Sequence, residues 1–197
     1  MNGTADSAQQ LALIPGAGSS LPRSLPRLDG TASLHERARL LTGALPADKV
    51  VGRRSAAWIW GLDVLPPGAS PDAWPVELLI GPSRRPPPVP GVSLHASHVP
   101  RSDVTEHEGV RVTTLERTAL DCARRPPWVQ AVAALDRFLR AGIDPGALQA
   151  RATALAGRAN VRLLREVLAT GDRGAESPGE SWTRALIVAA GLPRPRT

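Results

Sequence analysis

The sequence has no tyrosine, one phenylalanine (Phe138), one cysteine (Cys122) and a single methionine at its start. With rings so scarce, five tryptophans aside, a core has to be built mainly from Leu, Val and Ala. A lone cysteine excludes an internal disulfide and a cysteine-based metal site. Its neighbours Leu120 and Ala123 make it a small buried residue of a helix. Lysine is nearly absent too, since all of the 24 basic residues except Lys49 are arginine. That bias, with 20 prolines, 18 glycines and abundant alanine, is the mark of GC-rich coding, and it weakens any functional reading of the net charge of +6. No run reaches the roughly 18 apolar residues of a membrane-spanning helix. Leu11-Ala12-Leu13-Ile14 has no positive region before it, so no signal peptide is expected and the cytoplasm is the default compartment. A Walker loop, a dinucleotide-binding glycine pattern and a nucleophile elbow are also missing, so motifs alone define no enzyme.

The pattern that is present reads as an alternation of periods. Residues 1–30, rich in Gly, Ser, Pro and Gln, read as a disordered tail. Ser33-Leu34-His35-Glu36 is a capping box that opens a helix to about Leu45, with Leu34, Ala38, Leu41 and Ala44 at helical spacing. A short helix follows Ser55 and ends at Gly61. The period then drops to two. Val76–Ile80 reads as a buried strand and Val92–Ala96 as an alternating one. Asp103–His107 and Val110–Val112 form a hairpin around Glu108-Gly109. Helical spacing returns with Thr113 as N-cap and Glu116 as its partner, through about Arg124. Further helices are expected from Pro127 to Leu139, from Pro145 behind the Asp144 cap, and from Asn160 to Ala169 with a Val161, Leu164, Leu168 stripe. The sum is an α+β arrangement: a small mixed sheet flanked by helices, followed by a helical C-terminal part.

A last helix opens at Ser177-Pro178-Gly179-Glu180, with Ser177 as cap, Pro178 at the first helical position and Glu180 completing the box. It runs through Trp182–Ala190 and stops at Gly191, before Pro193 and Pro195. Nothing follows that could cover Leu186, Ile187 and Val188. The segment from about 172 is therefore expected to be loosely attached, or to dock weakly on the preceding helices, as the first element of a domain whose remainder is absent.

Candidate chemistry is sparse. His95 and His98 stand three apart, and on a strand that spacing turns the two imidazoles to opposite faces. Asp121 lies four residues after Arg117, which permits a same-face ion pair, and a structural role outweighs a catalytic one. Glu180 already has a capping role. Arg53-Arg54 and Arg84-Arg85 are the candidate phosphate contacts, because guanidinium forks suit phosphate oxygens. Of the net charge, +4 falls in residues 151–197, where an acidic partner or a solvated helix face explains it equally well.

Three stretches carry a family likeness. Arg54-Ser55-Ala56-Ala57-Trp58-Ile59-Trp60-Gly61-Leu62, Gly109–Asp121 with its Val-Thr-Thr-Leu-Glu-Arg-Thr-Ala-Leu-Asp core, and Glu176–Ser181 followed by Gly191-Leu192-Pro193 occur in order. Together they resemble actinobacterial AbiEi-like type IV antitoxins or transcriptional regulators, and related proteins with a Vsr-like endonuclease domain. The likeness spans about residues 50–197. It implies an AbiEi-like α+β domain over 31–170 and, over 171–197, the first helix of a truncated Vsr-like nuclease-fold domain. The implied partners are DNA and a cognate toxin protein, with no membrane and no cofactor. The chain departs from that family in lacking the tyrosine of its usual N-terminal winged-helix segment. It also lacks the Asp and Glu-x-Lys-like metal ligands expected after the Gly-Leu-Pro segment. One carboxylate, Glu180, cannot assemble a Mg²⁺ site for phosphodiester hydrolysis, so a non-catalytic protein is expected. The alternative is a truncated or degenerate Vsr-like (PD-(D/E)xK) endonuclease.

Overall fold

In the computed structural model, which describes residues 32–81, 88–155 and 159–195, helix α1 (Leu34–Ala44) starts on the expected capping box. Ser33 Oγ accepts the Glu36 N–H at 3.2 Å, and a Glu36 carboxylate oxygen accepts the Ser33 N–H at 2.8 Å. Its buried stripe is Leu34, Ala38 and Leu41, continued by Leu45 rather than by the exposed Ala44. Residues 1–30 lie outside the described residues. Strand β1 (Val50–Val51) comes next, then helix α2 (Arg53–Ile59), which begins two residues before Ser55. Strands β2 (Val76–Ile80) and β3 (Val92–Ala96) stand where the apolar run and the alternating run are read as strands. Strands β4 (Val104–His107) and β5 (Val110–Thr113) form the hairpin. Both of its turn residues are left-handed, Glu108 at φ 47° and Gly109 at 73°, which matches the twist of paired strands.

One cap is displaced by a residue. Thr113 pairs with Val104 in the ladder, so it stays extended, and its hydroxyl bonds that of Thr118 at 2.7 Å. Thr114 takes over as the cap of α3 (Leu115–Ala123), accepting the Arg117 N–H. Helices α4 (Trp128–Arg140), α5 (Pro145–Thr153), α6 (Val161–Thr170) and α7 (Pro178–Ala189) complete the order. Asp144 caps α5 by accepting the Gly146 and Ala147 N–H groups at 3.2 and 2.9 Å.

The sheet order is β3-β2-β1-β5-β4, with β1 antiparallel to β2 and parallel to β5. The sequence offers no sign of β1, because two residues cannot show a period. Pairing of Val51 with Leu78 and Val112 puts these side chains, with Val76 and Val110, on one face. That face meets α1 in a core with Leu34, Ala38 and Leu41. A second core gathers α3, α4, α5 and α6 around Phe138. Helix α2 belongs to both: Ala56 and Ile59 join the sheet core, and Ala57 joins the helical one. The fold is α+β.

Helix α7 does not hang free. Ser177 caps it by accepting the Glu180 N–H at 3.2 Å, while a Glu180 oxygen accepts the Glu176 N–H at 3.0 Å. The helix lies along α4 and buries Ser181, Arg184 and Ala185. Arg184, 2% exposed, is ion-paired with Asp136 of α4 and donates to the Thr170 carbonyl at the end of α6. Of the two expected arrangements, docking on the preceding helices is the one the structure shows, with a buried ion pair at the contact. The apolar run is a poor guide here, because the docking surface is polar at its centre and Leu186 stays 59% exposed.

Candidate functional site

Glu77 on β2 points away from α1, onto the second face of the sheet, and is buried there. One carboxylate oxygen accepts the Ser55 N–H at 3.2 Å and the Trp74 indole N–H at 3.4 Å; the other lies 3.5 Å from His95 Nε2 on β3. Burial pushes the Glu77 carboxyl up, but the His95 hydrogen bond, the Ser55 N–H and the Arg53 charge outweigh it and hold the group below its ordinary value. The Ser55 hydroxyl accepts the Glu77 N–H at 3.0 Å and donates to the Pro75 carbonyl at 3.1 Å. Helix α2 is thereby fastened to the sheet. Gly52 permits the close approach, since a Cβ there would sit 2.5 Å from Leu79 Cγ.

Helix α3 brings the second polar group. Arg117 donates to Asp121 at 2.9 Å, to Asp103 at 3.0 Å and to the Ser97 hydroxyl at 3.1 Å. The other Asp121 oxygen accepts from Arg124 at 2.6 Å, and the other Asp103 oxygen from Arg151 on α5. The Arg117–Asp121 pair permitted by the sequence spacing thus forms, inside a network that ties α3 to the helical turn just before β4 and to α5. With both oxygens taken and 1% exposure, Asp121 is an anchor.

The arginines singled out from the sequence take different places. Arg84 and Arg85 lie outside the described residues. Arg54 donates to the Gln130 side chain at 3.2 Å and stands 6.0 Å above the Trp74 ring. Arg53, the first residue of α2, has a left-handed φ of 57°, and its Nε is buried without a hydrogen-bond partner. Burial pushes its guanidinium down to about 10, helped by the charges of Arg125 and Arg124 and opposed by those of Glu77 and Asp121. Arg125, just past the end of α3, also has a buried, unpartnered Nε, and burial and the Arg124 charge push it down as well. Sequence reasoning missed Arg124-Arg125, although this dipeptide carries the same signal as the two arginine pairs it selected.

Other reactive groups are occupied or dispersed. Cys122 is fully buried, and burial pushes its thiol up, away from reactivity. His95 lies 3.0 Å from the Ser93 hydroxyl, and His98 stands beyond the end of β3. Among the described residues, no group of three His, Cys, Asp or Glu side chains is placed to hold a metal ion, and no helix is long and apolar enough to cross a membrane.

The site offers unpaired guanidinium donors on a mixed α+β frame, which is the chemistry of holding an anionic partner. The family follows from comparison: the model of the AbiEi antitoxin C-terminal domain matches residues 48–170, more than half of the chain, and the chain belongs to that family. The match runs from beside β1 to the last residue of α6, so it includes Arg53, Glu77, Asp121 and Arg125. No curated protein and no solved structure matches the chain.

Proposed function

We propose that this chain is an antitoxin or transcriptional-regulator-type protein of the cytoplasm. It binds DNA or a cognate toxin through the arginine-lined face around Arg53 and Arg54, without catalysis and without a cofactor. The observation that supports this most is the set of guanidinium groups left without a carboxylate partner inside the region that matches the antitoxin domain. Arg84 and Arg85 join the proposal as further contacts of the same kind. If the face binds duplex DNA, affinity falls steeply with salt, because each phosphate contact releases counterions. The Arg53→Ala/Arg54→Ala double variant then weakens binding about equally for every sequence. Fluorescence anisotropy that showed no complex at low salt would remove the DNA half. A pull-down with the product of the adjacent gene tests the toxin half.

In the same reading residues 31–170 carry the AbiEi-like body, and residues 171–197 resemble the opening helix of a Vsr-like nuclease fold. The rival reading, a Vsr-like endonuclease, draws on that helix and its Ser177–Glu180 cap. It is weakened because both Glu180 oxygens are engaged locally, by the Glu176 N–H at 3.0 Å and the Ser177 hydroxyl at 2.9 Å. The expected outcome is no Mg²⁺-dependent nicking of plasmid. Nicking that disappeared in Glu180→Ala would favour the nuclease.

A further inference from the structure

We propose that the cleft between the segment 97–101 and the loop 45–49 binds a free α-amino acid with an apolar side chain, its carboxylate on Arg111 and its ammonium group on Glu106. The inference goes beyond the proposed function and does not rest on it. The cleft lies on the sheet face turned away from α1. Val51 and Val112 pack towards α1, so Val50 and Arg111, one position earlier in their strands, face the other way. Glu106 stands directly across the ladder from Arg111 and lines the same cleft. The volume is about 820 Å³, within the roughly 300–1,000 Å³ of small-molecule sites. Both walls are fixed by arginines. The segment that crosses from β3 to β4 is held at its two ends by Arg117, which donates to Ser97 at 3.1 Å and to Asp103 at 3.0 Å. The loop is held by Arg111, whose Nη1 donates to the carbonyls of Leu45, Pro46 and Lys49 at 3.4, 3.1 and 3.2 Å.

Opposite charges directly across an antiparallel pair ordinarily meet, because their Cβ atoms are about 5 Å apart. Glu106 and Arg111 form no ion pair. Arg111 is drawn to the loop carbonyls through Nη1, which leaves its Nε and Nη2 without an acceptor among the described residues. The Glu106 side chain has no hydrogen bond or ion pair among the described residues either. Of the other charged groups in the cleft, Asp48 is taken by Lys49 at 2.6 Å, and His98 and Arg101 are exposed at the rim. A fixed fork and a free carboxylate side by side select a ligand that carries both charges. Phosphate would meet the Glu106 carboxylate, and a simple amine would meet the Arg111 guanidinium. An α-amino acid bears its carboxylate and its ammonium group on one carbon and satisfies both. Its apolar side chain finds Val50, Val99 and Val104 in the same cleft. Arg111 is half-buried and Glu106 exposed, so the carboxylate end goes inward and the ammonium end stays near the opening.

The test follows the amide NMR signals of the isotope-labelled full chain during titration with three probes of one shape: L-leucine, isocaproate, which lacks the amine, and isoamylamine, which lacks the carboxylate. Leucine is expected to move the signals of Val50, Glu106 and Arg111 saturably. Each probe that lacks one charge binds about tenfold more weakly, as the loss of one charge-assisted hydrogen bond requires. Glu106→Gln, at an exposed position without an ion pair, is expected to weaken leucine about tenfold and to leave isocaproate unchanged. Arg162→Gln, on the exposed face of α6, leaves both unchanged. The absence of saturable shifts with leucine overturns the site, and this arm needs no variant to fold. Shifts that saturate elsewhere in the chain and not at these three residues overturn it as well. Equal affinity for leucine and isocaproate, or inorganic phosphate that moves the same signals at lower concentration, assigns the cleft to anions and overturns the amino-acid reading.

Discussion

Arg37 donates to the carbonyls of Ala32, Pro71, Asp72 and Trp74, and Arg111 to those of Leu45, Pro46 and Lys49. At the scale of single residues, then, much of the arginine is spent inside the fold. A planar fork with five donors can hold several loop carbonyls at once, which a lysine cannot. Arg53, Arg125 and Arg137 stand apart: each keeps a buried Nε without a hydrogen-bond partner and forms no ion pair among the described residues. The carboxylates show the same economy, and Glu77 makes it testable. Its carboxyl sits below the ordinary 4.5, so the charged form contributes stability that is fully present above that value. That contribution is lost as pH falls through the folded value, because protonation surrenders the His95 and Ser55 contacts. Urea titrations of the wild type and Glu77→Gln should therefore differ near about pH 7 and converge as the pH falls below 4.5 and through the lowered folded value. A gap that stayed constant across the whole acid range in which the protein remains folded would show that the carboxylate charge is not what holds α2 to the sheet.

Among the elements, β1 and α7 are held by partners distant in sequence. Strand β1 has two residues and joins the antiparallel and parallel halves of the sheet. Helix α7 is pinned by the buried Arg184–Asp136 pair, and the Asp136 carboxylate also accepts the Asp172 N–H at 2.6 Å. Breaking a buried pair from one side leaves an uncompensated charge and costs about 3–5 kcal/mol. Removal of residues 171–197 should accordingly lower the thermal midpoint by about 10 °C. Leu186→Ser, at an exposed position of the same helix, should move it by less than about 2 °C. If calorimetry gave the truncated chain the midpoint of the full one, α7 would be an appendage after all.

At the scale of the whole molecule, two cores meet across α2 and across the Arg117 network. Trp58, Trp60 and Trp74 border the sheet core, and Trp128 packs on the helical one. Because Ala56, Ala57 and Ile59 share one helix between the cores, unfolding should be a single transition. Tryptophan fluorescence and far-ultraviolet circular dichroism should trace coincident denaturation curves, and separated midpoints would mean that the cores melt independently. The sequence by itself determined the caps at Ser33, Asp144 and Ser177, the Glu108-Gly109 turn, strands β2 to β5 and the Arg117–Asp121 pair. These depend on residues a few positions apart, where helix and strand periodicity alone set who meets whom. It also carried the motifs of the AbiEi family. Only the tertiary structure decided that β1 exists, that α7 docks, and which arginines remain unpaired. Each of these depends on a partner far along the chain: Leu79 and Val112 for β1, Asp136 for Arg184, and Arg124 and Arg125 for Arg53. Charge balance and burial are properties of the space those partners share, and no local pattern encodes that space.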